Sequence, residues 1–319
     1  MELIYVTKAL PEEILDPLRR AYQVKVWRGE GPVPREILVE AVAEAVGLLC
    51  MLTDTIDAAL LDAAPHLRVV SQMAVGVDNI DVEGCARRRI AVGHTPGVLT
   101  ETVADTAFAL LAAIVRRLPE GERAVREGRW GPWEPFWMTG GDLHGSVLGV
   151  VGMGRIGRAV ARRAAGFDME VIYTSRHPKD GVDAEYLPLP ELLGRVDHAV
   201  LTAALTSETR GMIGEAELRA LGPDSYLVNV ARGPLVVTEA LVTALREEWI
   251  AGAALDVTDP EPLPPDHPLL GSPNCLVVPH IGSASVRTRR AMATMAVENL
   301  LAGLAGREMP ARYAAAGRE

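Results

Sequence analysis

Short apolar runs alternate with stretches of helical spacing along most of the chain. Leu3–Val6 is a first apolar run, and Pro11–Arg20 follows with a helical period. Gln23–Trp27, Val46–Leu52 and Arg68–Ser71 read as further strands. Runs this short and this continuously apolar, separated by helices, predict a parallel sheet covered on both faces. This first α/β unit is expected to end near His94-Thr95-Pro96-Gly97, and a longer helix is predicted from about Leu99 to Leu118. Ser146–Val151 and Met169–Thr174 restart the strand pattern, with a helix over Arg158–Ala165 between them. No repeat, low-complexity tract or long linker interrupts the alternation.

Between the long helix and the second set of strands lies Gly128-Arg-Trp-Gly-Pro-Trp-Glu-Pro-Phe-Trp137. Prolines at this density exclude a regular helix. Bulky aromatics in an irregular segment either pack locally or grip another subunit, since Trp and Phe are enriched in interface cores.

Composition narrows the function classes. At 319 residues the chain has room for two domains, and its net charge of −10 argues against nucleic acid or an anionic membrane as partner. No apolar run is long enough to span a bilayer, and the N-terminus does not read as a secretory signal, so a cytoplasmic location is expected. Cys50, Cys85 and Cys275 are far apart and read as buried thiols, so neither a disulfide framework nor a metal site is expected. Lysine occurs at positions 8, 25 and 179 alone, and Asn plus Gln number six. That bias fits selection for heat resistance and equally a GC-rich genome.

The chemistry begins at Gly152-Met-Gly154-Arg155-Ile156-Gly157. A glycine triplet at this spacing between a strand and a helix is the arrangement that holds a dinucleotide pyrophosphate. Gly152 permits the turn, Gly154 lets the backbone approach the phosphates, and Gly157 lets the helix pack closely; the helix start offers N–H groups to the anion. At the end of the next strand an NAD-type fold places an acid for the ribose hydroxyl. Here the residues are Ser175-Arg176-His177. No carboxylate would repel a 2′-phosphate, and a guanidinium could bind one, which favours NADP over NAD while leaving NAD possible. The bland alternative is a solvated arginine at a strand end.

Three later segments place ionisable residues just past apolar strands: Asn229-Val-Ala-Arg232-Gly233, Asp256 through Glu261-Pro262, and Pro279-His280-Ile-Gly282-Ser283. Ligands of open parallel sheets bind beyond these carboxyl ends. The other six histidines, His66 and His144 among them, read as structural.

With Met73-Ala-Val75-Gly76-Val-Asp78 and Thr95-Pro-Gly-Val-Leu-Thr-Glu-Thr102-Val-Ala-Asp, these motifs make the chain resemble the D-isomer-specific 2-hydroxyacid dehydrogenases, nearly end to end. Its resemblance is greatest to the glyoxylate reductase/hydroxypyruvate reductase branch. The resemblance implies an α/β protein of two Rossmann-like domains, doubly wound parallel sheets with a cleft between them. Residues 1–98 and 286–319 would form a discontinuous substrate-binding domain and 99–285 the NAD(P)-binding domain.

The resemblance also implies roles. Reducing a 2-oxo acid needs a hydride at C2 and a proton on the carbonyl oxygen. His280 would donate the proton, Glu261 would hold the imidazole and favour its protonated form, and Arg232 would bind the substrate carboxylate and polarise the carbonyl. Backbone N–H groups of Val75 and Gly76 would hold the carboxylate's other side, with Leu52, Met73, Leu99 and Trp137 setting the pocket size. Cofactor contacts are expected from Gly152, Gly154, Arg155, Ile156, Gly157, Ser175, Arg176, Ala204, Val230, Gly282, Ser283 and Thr102. Asp256 should meet the carboxamide end of the cofactor or lie just behind the pocket. The long helix and aromatic arm imply a homodimer. One departure is Thr202-Ala203-Ala204-Leu205-Thr206, where many relatives carry a His-or-Cys-Pro pair; it weakens the expectation for Ala204.

Alternatives with the same fold are a short-form D-3-phosphoglycerate dehydrogenase or another D-2-hydroxyacid dehydrogenase. A long regulated form is not expected from the length that remains, and formate dehydrogenases typically carry glutamine where Glu261 stands. A cofactor-sensing corepressor is the remote alternative.

Overall fold

Strands that are buried on both faces explain why the apolar runs of this chain lack alternation. In the computed structural model, which describes residues 1–314, the chain divides into two units, Met1–Leu99 with the segment from Ser285 onward, and Thr100–Ala284. The first is built on a parallel sheet of β1 (Leu3–Val6), β2 (Gln23–Val26), β3 (Ala45–Cys50), β4 (Val69–Gln72) and β5 (Ala91–Gly93), in the order β2-β1-β3-β4-β5. Leu38, Leu48, Ile56, Leu60 and Val70 form much of its core. The C-terminal helix Val286–Leu304 returns to this sheet, where the Ser71 hydroxyl donates to the Ala296 carbonyl at 2.8 Å. Ser285 caps that helix by accepting from the Thr288 N–H.

The second unit contains β6 (Val147–Val151), β7 (Glu170–Thr174), β8 (Glu185–Tyr186), β9 (His198–Leu201), β10 (Tyr226–Asn229), β11 (Gly252–Leu255) and β12 (Cys275–Val277). They form one parallel sheet in the order β12-β11-β10-β9-β6-β7-β8. The strand order reverses at β6, which lies between β9 and β7, and such a switch point opens a crevice at the carboxyl edge. Val151, Leu201, Asn229, Leu255 and Val277 are in register there. The residues that follow them therefore emerge along one edge.

Strand positions agree with the sequence pattern to within a residue or two; the helices differ more. The long helix spans Thr100–Val115, and a second runs over Leu118–Arg126. Arg117 between them has φ +52°, and Pro119 in the next first turn cannot donate to a continuing ladder. The helix after the glycine loop starts at Arg155 rather than Arg158. Among the described residues no helix is long and apolar enough to cross a membrane.

Candidate active site

The glycine loop follows β6 directly. Gly152 has φ +104°, and a Cβ there would collide with the Ala203 backbone on the neighbouring loop. Gly157 lies against the Gly152 carbonyl, so the helix cannot carry a side chain at that point and stay where it is. Gly154, by contrast, faces open space. Since the helix begins at Arg155, its first-turn N–H groups have no intrahelical acceptor. Thr202 closes the loop by donating to the Gly152 carbonyl at 2.6 Å. A tight loop, an open approach at its middle glycine and free N–H groups together fit a pyrophosphate.

Of the other expected cofactor residues, Val230 is buried, and Ala204 is exposed with its carbonyl accepting from the Thr209 hydroxyl. At the end of β7 the Ser175 hydroxyl donates to the His177 carbonyl at 2.6 Å. Arg176 is exposed and lies 3.6 Å from Glu208, a loose surface pair between residues far apart in the chain.

His280 and Glu261 are brought together. Nδ1 of the imidazole lies 2.6 Å from the Glu261 Oε1, so that nitrogen carries the proton and the carboxylate accepts it. The side chains are 24% and 35% exposed. Burial raises the Glu261 carboxyl, but the His280 bond and charge, the Thr258 N–H and the Arg232 guanidinium outweigh it. The net shift is downward, which keeps the group ionised. Arg232 sits in a turn pinned by Asn229, whose amide donates to the Arg232 carbonyl and accepts from Ala231 N–H.

Asp256 clamps the histidine loop. It is 2% exposed, and its two oxygens accept from the N–H groups of Ile281 at 2.7 Å and Gly282 at 2.9 Å. Its carbonyl accepts from His280 N–H at 2.9 Å, and His280 itself holds φ +52°. Desolvation raises the Asp256 carboxyl, opposed by those N–H bonds and the neighbouring histidine. Thr106, one turn past Thr102, donates to the Gly282 carbonyl at 3.2 Å, and Ser283 is buried beside it in the chain.

In the first unit Val75 and Gly76 lie in the turn after β4, partly exposed, and Leu52 lies in the loop after β3. Met73 and Leu99 are buried. Trp137 is 41% exposed, in a segment where Trp133 and Phe136 are more than four-fifths exposed.

The profile of the D-isomer specific 2-hydroxyacid dehydrogenase NAD binding domain matches residues 108–282. The chain belongs to the D-isomer-specific 2-hydroxyacid dehydrogenase family. It is 48% identical over 304 residues to the glyoxylate reductase of Korarchaeum cryptofilum, covering 94% of this chain and 92% of that one. It is 43% identical over 315 residues to the glyoxylate reductase/hydroxypyruvate reductase of Mus musculus, covering 96% of each. Among solved structures, the NADPH-dependent glyoxylate/hydroxypyruvate reductase of Sinorhizobium meliloti, in complex with NADP and malonate, superposes with a TM-score of 0.86 at 36% identity, covering 98% of this chain and 96% of that one. These relatives place this 2-hydroxyacid dehydrogenase in the glyoxylate/hydroxypyruvate reductase branch, as an oxidoreductase that uses a nicotinamide cofactor.

Proposed function

We propose that this dehydrogenase reduces small 2-oxo acids, glyoxylate to glycolate and hydroxypyruvate to D-glycerate, with NADPH preferred over NADH. The observation that carries the reading is the His280–Glu261 pair at 2.6 Å, on a loop whose backbone Asp256 holds at three points. When bound, the reduced nicotinamide supplies the hydride. The glycine loop and the first turn from Arg155 to Gly157 hold the pyrophosphate, and Ser175 and Arg176 receive the 2′-phosphate.

His280, with Nδ1 tied to Glu261, presents Nε2 as the proton donor to the carbonyl oxygen. Glu261, ionised, keeps the ring oriented through Nδ1. Arg232 takes the substrate carboxylate and polarises the carbonyl, and the backbone N–H groups of Val75 and Gly76 are donors for a carboxylate. Oxidation of the hydroxy acid uses the same groups with His280 as base. The exposed aromatic segment around Trp133 and Phe136 supports a homodimer, since apolar patches of this kind are normally covered. Trp137 then limits substrate length.

A panel of glyoxylate, hydroxypyruvate, phosphohydroxypyruvate and longer 2-oxo acids, each with NADPH and NADH, tests the reading. Highest kcat/KM with glyoxylate or hydroxypyruvate and NADPH is expected. A preference for the phosphorylated acid would replace the reading with a phosphoglycerate dehydrogenase.

A further inference from the structure

The turn after β4 is held from outside by three different donors. The Ala74 carbonyl accepts from Thr95 N–H at 2.8 Å, the Val75 carbonyl lies 2.9 Å from His94 Nδ1, and the Gly76 carbonyl accepts from the Gln72 side-chain amide at 2.7 Å. The N–H groups of Val75 and Gly76 have no acceptor among the described residues. Peptide planes are rigid, so fixing successive carbonyls fixes the direction of the N–H groups between them. Adjacent unpaired N–H groups make an anion-binding concavity.

The donors are themselves anchored. Gln72 is fully buried and exchanges two bonds with the Asn79 amide, at 2.5 and 3.0 Å. Asn79 also donates to the Asp54 carbonyl at 2.7 Å, in the loop that carries Leu52. His94 donates its own N–H to Ala311, accepts at its carbonyl from Asn299, and sets its ring edge-on to Tyr313 at 5.3 Å. A bond from His94 Nδ1 to a carbonyl requires that nitrogen to carry the proton.

We propose that His94 and Gln72 are positioning residues for the substrate carboxylate: His94 holds the Val75 carbonyl and with it the Gly76 N–H of the same peptide plane, and Gln72 fixes the far side of Gly76 at its carbonyl, while Thr95 N–H sets the Val75 N–H through the Ala74 carbonyl. This rests on the reading of that turn as a carboxylate site. Neither residue touches the reacting atoms, so their effect belongs in substrate binding rather than in turnover.

The test compares wild type, His94→Phe, His94→Asn and Gln72→Met. Each is measured for KM and kcat with glyoxylate, for NADPH affinity by fluorescence, and for oxalate affinity of the enzyme–NADP complex by calorimetry. Phenylalanine keeps an aromatic edge for Tyr313 and deletes the donor; asparagine places an amide N–H near the lost Nδ1. Loss of one such bond should raise KM for glyoxylate about tenfold in His94→Phe and weaken oxalate by a similar factor. kcat and NADPH affinity should stay near wild type, Gln72→Met should show the same signature, and His94→Asn should recover most of the loss. Wild-type KM and oxalate affinity in His94→Phe would overturn the proposal, as would a His94→Asn enzyme no better than His94→Phe. Wild-type enzyme that turns over no 2-oxo acid would instead overturn the reading of the site on which the proposal rests.

Discussion

Replacing Glu261 by glutamine keeps an acceptor for His280 Nδ1 and deletes one charge. The bond is 2.6 Å long, and the side chains are 24% and 35% exposed, so solvent screens part of the interaction. A charge-assisted bond discounted for that exposure contributes about 1.5 kcal/mol, or about tenfold in rate. The histidine's bond and charge hold the Glu261 carboxyl below its ordinary value, so the acceptor at Nδ1 is ionised. In Glu261→Gln the ring loses the charged acceptor that orients it, so kcat/KM for glyoxylate should fall about tenfold. Oxidation of glycolate or D-glycerate uses the same ring and should fall with it. The same charge bears on stability. A carboxyl lowered on folding stabilises the protein above its ordinary value, and that contribution disappears as pH falls through the lowered one. The melting-temperature gap between wild type and variant should therefore close in acid. The measurement is kcat/KM for both enzymes in both directions, with melting temperature against pH beside it, and equal kcat/KM in reduction would refute the reasoning.

Arg176→Ala should reduce the NADPH-over-NADH preference about tenfold, Ser175→Asp should invert it, and Glu208→Gln should raise it by removing a carboxylate 3.6 Å from Arg176; ratios of kcat/KM for the two cofactors decide. Gly157→Ala puts a methyl group against the Gly152 carbonyl and should cost about 1–3 kcal/mol in denaturant unfolding, with NADPH affinity falling as the loop shifts; unchanged stability and affinity would refute the packing argument. Sedimentation should give a dimer at micromolar concentration that Trp133→Ser with Phe136→Ser converts to monomer, and Trp137→Ala should broaden acceptance of longer 2-oxo acids. A monomeric wild type would remove the interface, and an unchanged substrate panel would remove the role of Trp137.

What the sequence makes legible follows from how local the signal is. The glycine loop is readable because its three glycines occupy fixed positions between an apolar strand and a helix, and Gly152 and Gly157 prove sterically obligatory. His280, Glu261 and Arg232 stand out as ionisable residues past strand ends, and the parallel register carries those ends to one edge of the sheet. The carboxylate of Asp256 was also visible, but its N–H partners lie at least 25 residues away, and only tertiary structure turns it into a clamp. The same holds for Glu208 beside Arg176. His94 reads as a structural histidine, and Gln72 carries no signal at all; each acts on a backbone carbonyl, of Val75 and of Gly76, and a carbonyl has no identity in a sequence. The long helix ends at Val115, close to the expected end near Leu118, while the second helix, Leu118–Arg126, has a single buried residue, Ala124, and so leaves little apolar period to read.

Proton donation by His280 is tested most directly by His280→Asn with glyoxylate and NADPH. The variant should bind NADPH as wild type does and lose roughly 100- to 10,000-fold in kcat/KM in both directions, the range that general acid–base catalysis supplies. A variant that binds NADPH normally and stays within tenfold of wild type would contradict the assignment.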